Sequence, residues 1–333
     1  VIDSAIVGLG RWGRSFVESV QGTSSRVRFV RGVETNPDPA RAFAAQHGFG
    51  LTTSLAEVLA DPAVHAVVLA TPHSLHPEQV FAGAKAGKHV FCEKPLALNA
   101  ADAREMIAAC QTAGIVLGVG HNRRFWPAIR ELERIVDSGD LGELMHIEGH
   151  NSNENSNRVK DGWRLSPHES PGGGMTGAGL HVLDTFTCLF GPVRRVRAQV
   201  LSRKPEPAPL DTASAMYEFE NGASGLLATI RATPFYWRIH AFGTLGSAEV
   251  LGETELVRHR SGAKPGHIHL PPADSLLSEL EAFADAIDGR APFPVTPAQM
   301  LATVAAFEAT VRALETGLAV EVDAGSMRGT HGT

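Results

Sequence analysis

The sequence predicts two domains: a doubly wound α/β unit over residues 1–121 and an α+β unit over residues 122–333. Three observations predict this division. Up to about residue 120, nearly continuous apolar runs alternate with helical stretches, the pattern of parallel strands buried on both faces. From residue 144 onward, strand-like runs follow one another with turns between them, as in a large, mainly antiparallel open sheet. The length of 333 residues suits two cores rather than one.

In the first unit, strands are expected at 4–8, 27–34, 64–70, 89–92 and 115–120. Helices are expected between them at 12–21, 38–47, 54–60, 76–86 and 99–113. The last opens well, with Asn99 as a cap and Asp102 in the first turn, where a carboxylate meets the positive end of the helix dipole. A helix over 125–137 follows, with Gly139 as its stop. Strands are then expected near 144–150, 193–202, 212–220, 223–232, 236–243, 247–251 and 254–260. Asn221-Gly222 between two of them is a hairpin signal. Stretches 204–210 and 261–274, rich in proline or glycine, read as surface loops. Two helices close the pattern. Leu276, Leu277, Leu280, Phe283, Ala284 and Ile287 share one helical face, and Thr296-Pro297-Ala298-Gln299 forms a capping box. These C-terminal helices can pack back on the first domain.

Composition excludes several classes. Hydrophobic residues make up 43% and charged residues 20%, the balance of an ordinary globular chain. Thirty Lys+Arg against 36 Asp+Glu leave a net charge of −6, which argues against nucleic-acid or membrane-surface binding. Cys92, Cys110 and Cys188 cannot all pair and no Cys-x-x-Cys occurs, so a reducing compartment is expected. No apolar stretch of about 18 residues is present. The first apolar run leads into glycines and arginines instead of a signal-cleavage site, so a cytoplasmic protein is expected.

The chemistry concentrates at predicted strand ends. Gly8-Leu9-Gly10-Arg11-Trp12-Gly13 follows a strand and opens a helix, where glycines permit a tight turn and close approach to a pyrophosphate. Glu34 ends the next strand, positioned to take the adenosine ribose hydroxyls. It would repel a 2′-phosphate, which favours NAD over NADP. Thr71-Pro72…His76 and Glu93-Lys94-Pro95 follow the fourth and fifth strands at the edge where open α/β sheets bind ligands. Beside an oxidised nicotinamide the ammonium of Lys94 is disfavoured, which suits proton transfer near neutrality.

With these motifs stand Asn122…Arg124-Phe125…Pro127, Trp163-Arg164, and Gly172-Gly173-Gly174…His181-Val182-Leu183-Asp184. In this order the set resembles the Gfo/Idh/MocA oxidoreductases across nearly the whole chain. The resemblance implies an N-terminal Rossmann domain and a C-terminal domain whose open sheet often forms subunit contacts. Lys94 resembles the family's active-site lysine, Glu93 the residue near the nicotinamide ribose, and His181 the catalytic histidine. The Gly turn, Glu34, Thr71, Pro72, His76, Glu93 and Lys94 are expected at the cofactor. Lys94, Asn122, Arg123, Arg124, Trp163, Arg164 and His181 are expected at the substrate. Two departures stand out: Gly177 occupies the place of the family's usual Asp, and His73 that of an Asn. Asp184, three residues beyond His181, is read as a helix-surface carboxylate in preference to a partner for the ring.

His146, Glu148 and His150 alternate on one strand face and are read as a solvent or oligomer face rather than a metal set. No metal is expected. His267-x-His269 falls in a loop, and Cys92 reads as a small buried residue instead of a nucleophile. Residues 151–157 are polar and placed to line a cleft. The leading expectation is an NAD-dependent dehydrogenase acting on a secondary alcohol of a sugar, cyclitol or related polyol, assembled as a homodimer or homotetramer. Two alternatives remain open at this stage: a lyase or glycosidase that uses transient oxidation, and a non-catalytic nucleotide-binding regulator.

Overall fold

The computed structural model describes residues 1–154, 162–202 and 212–323. Six parallel strands form the first sheet: β1 (Ile2–Val7), β2 (Val27–Val33), β3 (Gly50–Thr52), β4 (Ala66–Leu69), β5 (His89–Glu93) and β6 (Leu117–Gly120). Their order is β3-β2-β1-β4-β5-β6, so the chain reverses direction across the sheet between β1 and β4. A ligand crevice forms at such a switch point, outside the carboxyl ends of the strands. Helices α1 (Arg11–Val20), α2 (Arg41–His47), α3 (Leu55–Ala60), α4 (His76–Lys85) and α5 (Ala100–Thr112) connect the strands. β4 is buried at all four positions, as its unbroken Ala-Val-Val-Leu requires. Asn99 caps α5 by accepting from the Asp102 N–H at 2.8 Å.

After a 3₁₀ turn at Asn122–Phe125 come α6 (Pro127–Asp137) and β7 (Leu144–Ser152). The helix begins two residues later than its apolar pattern suggests, because Pro127 sets its first turn. A π-helical turn over Met175–Gly179 runs directly into α7 (Leu180–Phe190). Then follow β8 (Val193–Leu201), β9 (Thr212–Phe219), β10 (Ser224–Ile230), β11 (Tyr236–Gly243), β12 (Gly246–Leu251), β13 (Glu255–Arg260) and β14 (Gly266–His269). Helices α8 (Ser275–Ile287) and α9 (Pro297–Thr316) and the short β15 (Val320–Glu321) complete the fold. The second sheet has nine strands in the order β14-β13-β12-β11-β7-β10-β9-β8-β15. It is antiparallel except at its centre, where β10 runs parallel to β7. The stretch 261–274, expected as a loop, contains β14 paired to β13. The expected loop at 204–210 lies outside the described residues.

One face of the second sheet is covered and the other open. A Cβ at Gly149 would strike Val182 and Phe186, so α7 lies against the odd-numbered side of β7. His146, Glu148 and His150 therefore share the side away from that helix. There His146 Nδ1 lies 2.7 Å from Ser224 Oγ, and Glu148 accepts from Arg238 at 2.8 Å. Among the described residues no group of three His, Cys, Asp or Glu is placed to hold a metal ion. Also among them, no helix is long and apolar enough to cross a membrane.

The C-terminal helices contribute to both cores. Leu280, Phe283 and Ala284 of α8, with Phe293, Val295 and the first turns of α9, complete the core beneath the first sheet. The rest of α9 packs in the second core. A buried ion pair adds a further tie: Arg124 donates to both oxygens of Asp184 at 2.7 and 2.9 Å. Burial opposes the charge on Asp184, yet the Arg124 guanidinium holds its carboxyl below the usual range. This corrects two expectations. Asp184 is not on a helix surface, because α7 is enclosed on every side from Leu180 to Thr187. Arg124 does not reach for a substrate, because its fork is occupied by Asp184. Removing one partner of a buried pair strands the other, at a cost of about 3–5 kcal/mol. Arg124→Met should lower unfolding stability by about that amount in chemical denaturation, and a loss below about 1 kcal/mol would show that Asp184 finds other partners.

Candidate active site

The glycine turn between β1 and α1 is built around missing side chains. Gly8 has φ +90, and a Cβ there would lie 2.8 Å from the Ala70 carbonyl oxygen. A Cβ on Gly13 would fall 1.9 Å from the Gly8 carbonyl oxygen, so only glycine lets the helix start beside the strand. Gly10 caps α1 with no side-chain partner and has nothing within 4 Å of its missing Cβ, leaving open room for a phosphate against the helix N-terminus. Glu34 accepts from the Leu9 N–H at 2.7 Å, which places its carboxylate against this turn. These features fit a dinucleotide. Arg11 lies over the Trp12 ring at 5.3 Å, and its charge bears on Lys94 and Arg164, on the reactive side of the turn.

Lys94 directly follows β5 and is joined to Pro95 by a cis peptide bond. Its side chain is buried, and Nζ donates to the carbonyl oxygens of Gly177 at 3.0 Å and Thr176 at 3.3 Å. No carboxylate takes the place of these carbonyls, since position 177 is glycine. Burial, partly offset by Glu93, brings the Lys94 pKa down to about 8. Glu93 moves the other way, up to about 7, because it too is enclosed. His181 is buried on α7; burial first and the Lys94 charge second hold it well below its ordinary pKa, so the ring is neutral at pH 7.

The loop after β4 closes over this region. His76 is fully buried, with Nδ1 2.8 Å from the Pro95 carbonyl oxygen and Nε2 3.3 Å from that of Thr71. This corrects its placement at the cofactor: both nitrogens face backbone, and the ring joins the Thr71-Pro72 turn to the one that carries Lys94. His73 Nδ1 donates to the Glu169 carbonyl oxygen at 2.6 Å, and its ring meets Trp163 edge-on at 4.8 Å. Arg164 lies over Trp163 at 4.1 Å, and its charge reaches Arg11 and Glu93. Trp163 and Arg164 thus stand on the side of the cleft that carries Arg11 and Glu93. Asn122 donates to Ser275 Oγ at 3.1 Å. Arg123 stacks over Trp126 at 3.7 Å, within electrostatic reach of Lys94 and His181. Asn151 is buried and braces the π turn by donating to Ala178 at 3.1 Å; residues 155–157 lie outside the described residues.

Sequence reasoning missed three neighbours of the site. Glu169 accepts from the Ser74 N–H at 3.1 Å and from its hydroxyl. His121, at the end of β6, approaches His181 with ring centroids 6.5 Å apart. Glu279 is fully buried with neither oxygen paired. Burial first and Glu93 second push its pKa well above the carboxylate range, so it carries a proton at neutral pH. Its place follows from register. Phe283 packs on Phe91 at 5.6 Å, and one helical turn back on α8 and two residues on along β5 bring Glu279 toward Glu93. Only position could have flagged His121, since it follows a strand at the ligand-binding edge.

A doubly wound sheet with this turn, an acidic residue after β2 and a buried lysine after β5 defines a nicotinamide-dinucleotide-binding oxidoreductase. The chain belongs to the Gfo/Idh/MocA family: residues 2–121 match its "Oxidoreductase family, NAD-binding Rossmann fold" and residues 129–249 its "GFO/IDH/MocA C-terminal domain". It is 29% identical to 1,5-anhydro-D-fructose reductase of Ensifer adhaerens, over 96% of this chain and 98% of that one. It is also 29% identical to myo-inositol 2-dehydrogenase of Thermotoga maritima, over 84% and 86% of the two chains. Among solved structures, levoglucosan dehydrogenase in complex with NADH and levoglucosan superposes with a TM-score of 0.86 at 23% identity, covering 96% of this chain and 99% of that one. Aldose-aldose oxidoreductase from Caulobacter crescentus, complexed with glycerol, gives 0.85 at 25%, with coverage of 96% and 99%.

Glu34 makes cofactor choice measurable. Hydrogen bonds to a charged group contribute about 1.5–3 kcal/mol, and the Arg11 charge bears on Lys94 and Arg164. kcat/KM should favour NAD over NADP by about tenfold or more, and equal efficiency with both would remove Glu34 from the ribose.

Proposed function

We propose that the protein transfers hydride between a secondary alcohol of a sugar, cyclitol or related polyol and NAD, with Lys94 and His181 handling the hydroxyl proton. The observation that carries this reading is the burial of Lys94 Nζ at the carboxyl edge of the first sheet, held by two backbone carbonyls and within electrostatic reach of His181. Carbonyls orient an amine without supplying a full counter-charge, so its neutral form is accessible near physiological pH. The relatives named as sugar, anhydrosugar and inositol oxidoreductases support the substrate class.

The bound nicotinamide supplies the hydride acceptor. Gly8, Gly10 and Gly13 hold the pyrophosphate at the start of α1, Glu34 takes the adenosine ribose, and Glu93 lies by the nicotinamide ribose. Thr71 and Pro72 line the cofactor where His76 anchors their turn. Asn122, Arg123, Trp163 and Arg164 wall the substrate side. The neutral Lys94 amine takes the hydroxyl proton as the carbinol carbon gives up its hydride, and the neutral His181 ring accepts a hydrogen bond from the same hydroxyl.

Lys94→Ala should lower kcat by about 10²–10⁴-fold, with NAD affinity falling far less. In the unaltered enzyme kcat/KM for alcohol oxidation should rise with pH through a midpoint near 8 and level off above it, as the Lys94 ammonium loses its proton. That limb should vanish in the variant. Near-normal turnover of Lys94→Ala on its best polyol would discard the mechanism.

We also infer that the open face of the nine-stranded sheet joins copies of this chain. Met216 and Leu226 sit opposite each other there and are exposed at 56% and 42%, beside a concavity of about 330 Å³ flanked by Arg195 and Arg197. Apolar side chains grouped on one sheet face mark an interaction surface. Sedimentation should give at least twice the chain mass of 35.4 kDa; a monomer at micromolar concentration overturns this inference.

A further inference from the structure

Two buried imidazoles approach each other behind the cleft, and each has a ring nitrogen without a partner. His121 directly follows β6 and His181 lies in the first turn of α7, with exposures of only 3% and 6%. Their centroids are 6.5 Å apart with planes at 84°. In both, Nδ1 is sealed from solvent and makes no hydrogen bond. Buried polar atoms are nearly always paired in native proteins, so two such orphans on neighbouring rings need a common explanation.

The second nitrogen of His121 supplies it. Nε2 lies 3.6 Å from Asp184 Oδ1, while Arg124 holds that carboxylate from the other side. A carboxylate beside one ring nitrogen favours the tautomer with its proton there. His121 then carries its proton on Nε2 and presents a lone pair at Nδ1. A neutral His181 protonated on Nδ1 is the complementary donor. Both rings are neutral at pH 7, since burial outweighs the pull of Asp184 and brings His121 down to about 4. Position 177 offers no side chain to orient His181, and nothing lies within 4 Å of its missing Cβ.

We propose that His121 is the positioning residue for His181, accepting its Nδ1–H while Asp184 fixes the tautomer of both rings in series. Nε2 of His181 is thereby left as a lone pair on the cleft side, ready to accept from a substrate hydroxyl. The arrangement rests on the reading that His181 serves the hydroxyl. With centroids 6.5 Å apart the ring nitrogens stand more than about 4 Å from each other, so the rings must approach by about 1 Å, and catalytic hydrogen bonds commonly tighten only when ligands are bound.

Long-range ¹H–¹⁵N spectra of the NAD-loaded protein at pH 7 test the pair without reference to turnover. His181 should carry its proton on Nδ1 and His121 on Nε2. His121→Phe should leave His181 without a single tautomer. It should lower kcat by about 10–100-fold, the span seen when an outer partner of a metal-bound histidine is removed, with NAD affinity little changed. His121→Asn, whose amide oxygen restores an acceptor, should recover most of both. His181 protonated on Nε2 in the unaltered protein, or an unchanged tautomer and kcat in His121→Phe, overturns the proposal. If the phenylalanine variant does not fold, the spectrum of the unaltered protein decides alone. Undiminished turnover of His181→Ala, with the tautomers as expected, discards the functional reading and leaves the pair standing.

Discussion

Burying the Lys94 ammonium at the end of β5 is the constraint around which the site is arranged. An amine taken out of water must find polar atoms or lose its proton. Here the polar atoms are the carbonyls of Thr176 and Gly177, which a π-helical turn leaves available for Nζ. That turn is braced in its own right by Asn151 from β7. The lysine of one domain is therefore placed by the backbone of the other, and the cleft between them has a fixed floor.

A second layer of contacts fixes the walls. His76 ties the turn after β4 to Pro95, and Glu169 holds Ser74 while its carbonyl accepts from His73. Beneath them, Arg124 and Asp184 bind the segment after β6 to α7. His76, Glu169, Arg124 and Asp184 are buried, and each is matched by a partner elsewhere in the sequence. Buried atoms without a partner include both oxygens of Glu279 and the Nδ1 atoms of His121 and His181, which lie within electrostatic reach of Glu93 or Lys94. Polar atoms kept dry and unmatched near a site retain electrostatic strength that water would otherwise remove.

The parts legible in the sequence share a local cause. β1, β4 and β5 declare themselves by short apolar runs of three or four residues, and the glycine turn and Glu34 by spacing. Lys94 is legible because a lysine directly after a buried strand is unusual. β3 is not, since three half-exposed residues at a sheet edge carry no period. β14 is hidden by the prolines and glycines around it. Arg124 and Asp184 lie 60 residues apart, and neither has a sequence neighbour that points to the other. His76 was misplaced for a related reason: a histidine near a ligand edge looks the same whether it meets a ligand or two carbonyls.

The interleaving of the two cores bears on how the chain is made. Phe91 in the first sheet packs against both Phe283 and Phe293, and Leu280 and Val295 fill the same layer. The nucleotide-binding half therefore lacks one wall of its interior until α8 and α9 have been synthesised. Domains commonly fold in order as they leave the ribosome, but here the first sheet waits, with apolar surface uncovered, for helices encoded nearly 200 positions later. A break in translation between the two halves yields an unfinished first domain, and the two have to be inherited as one piece.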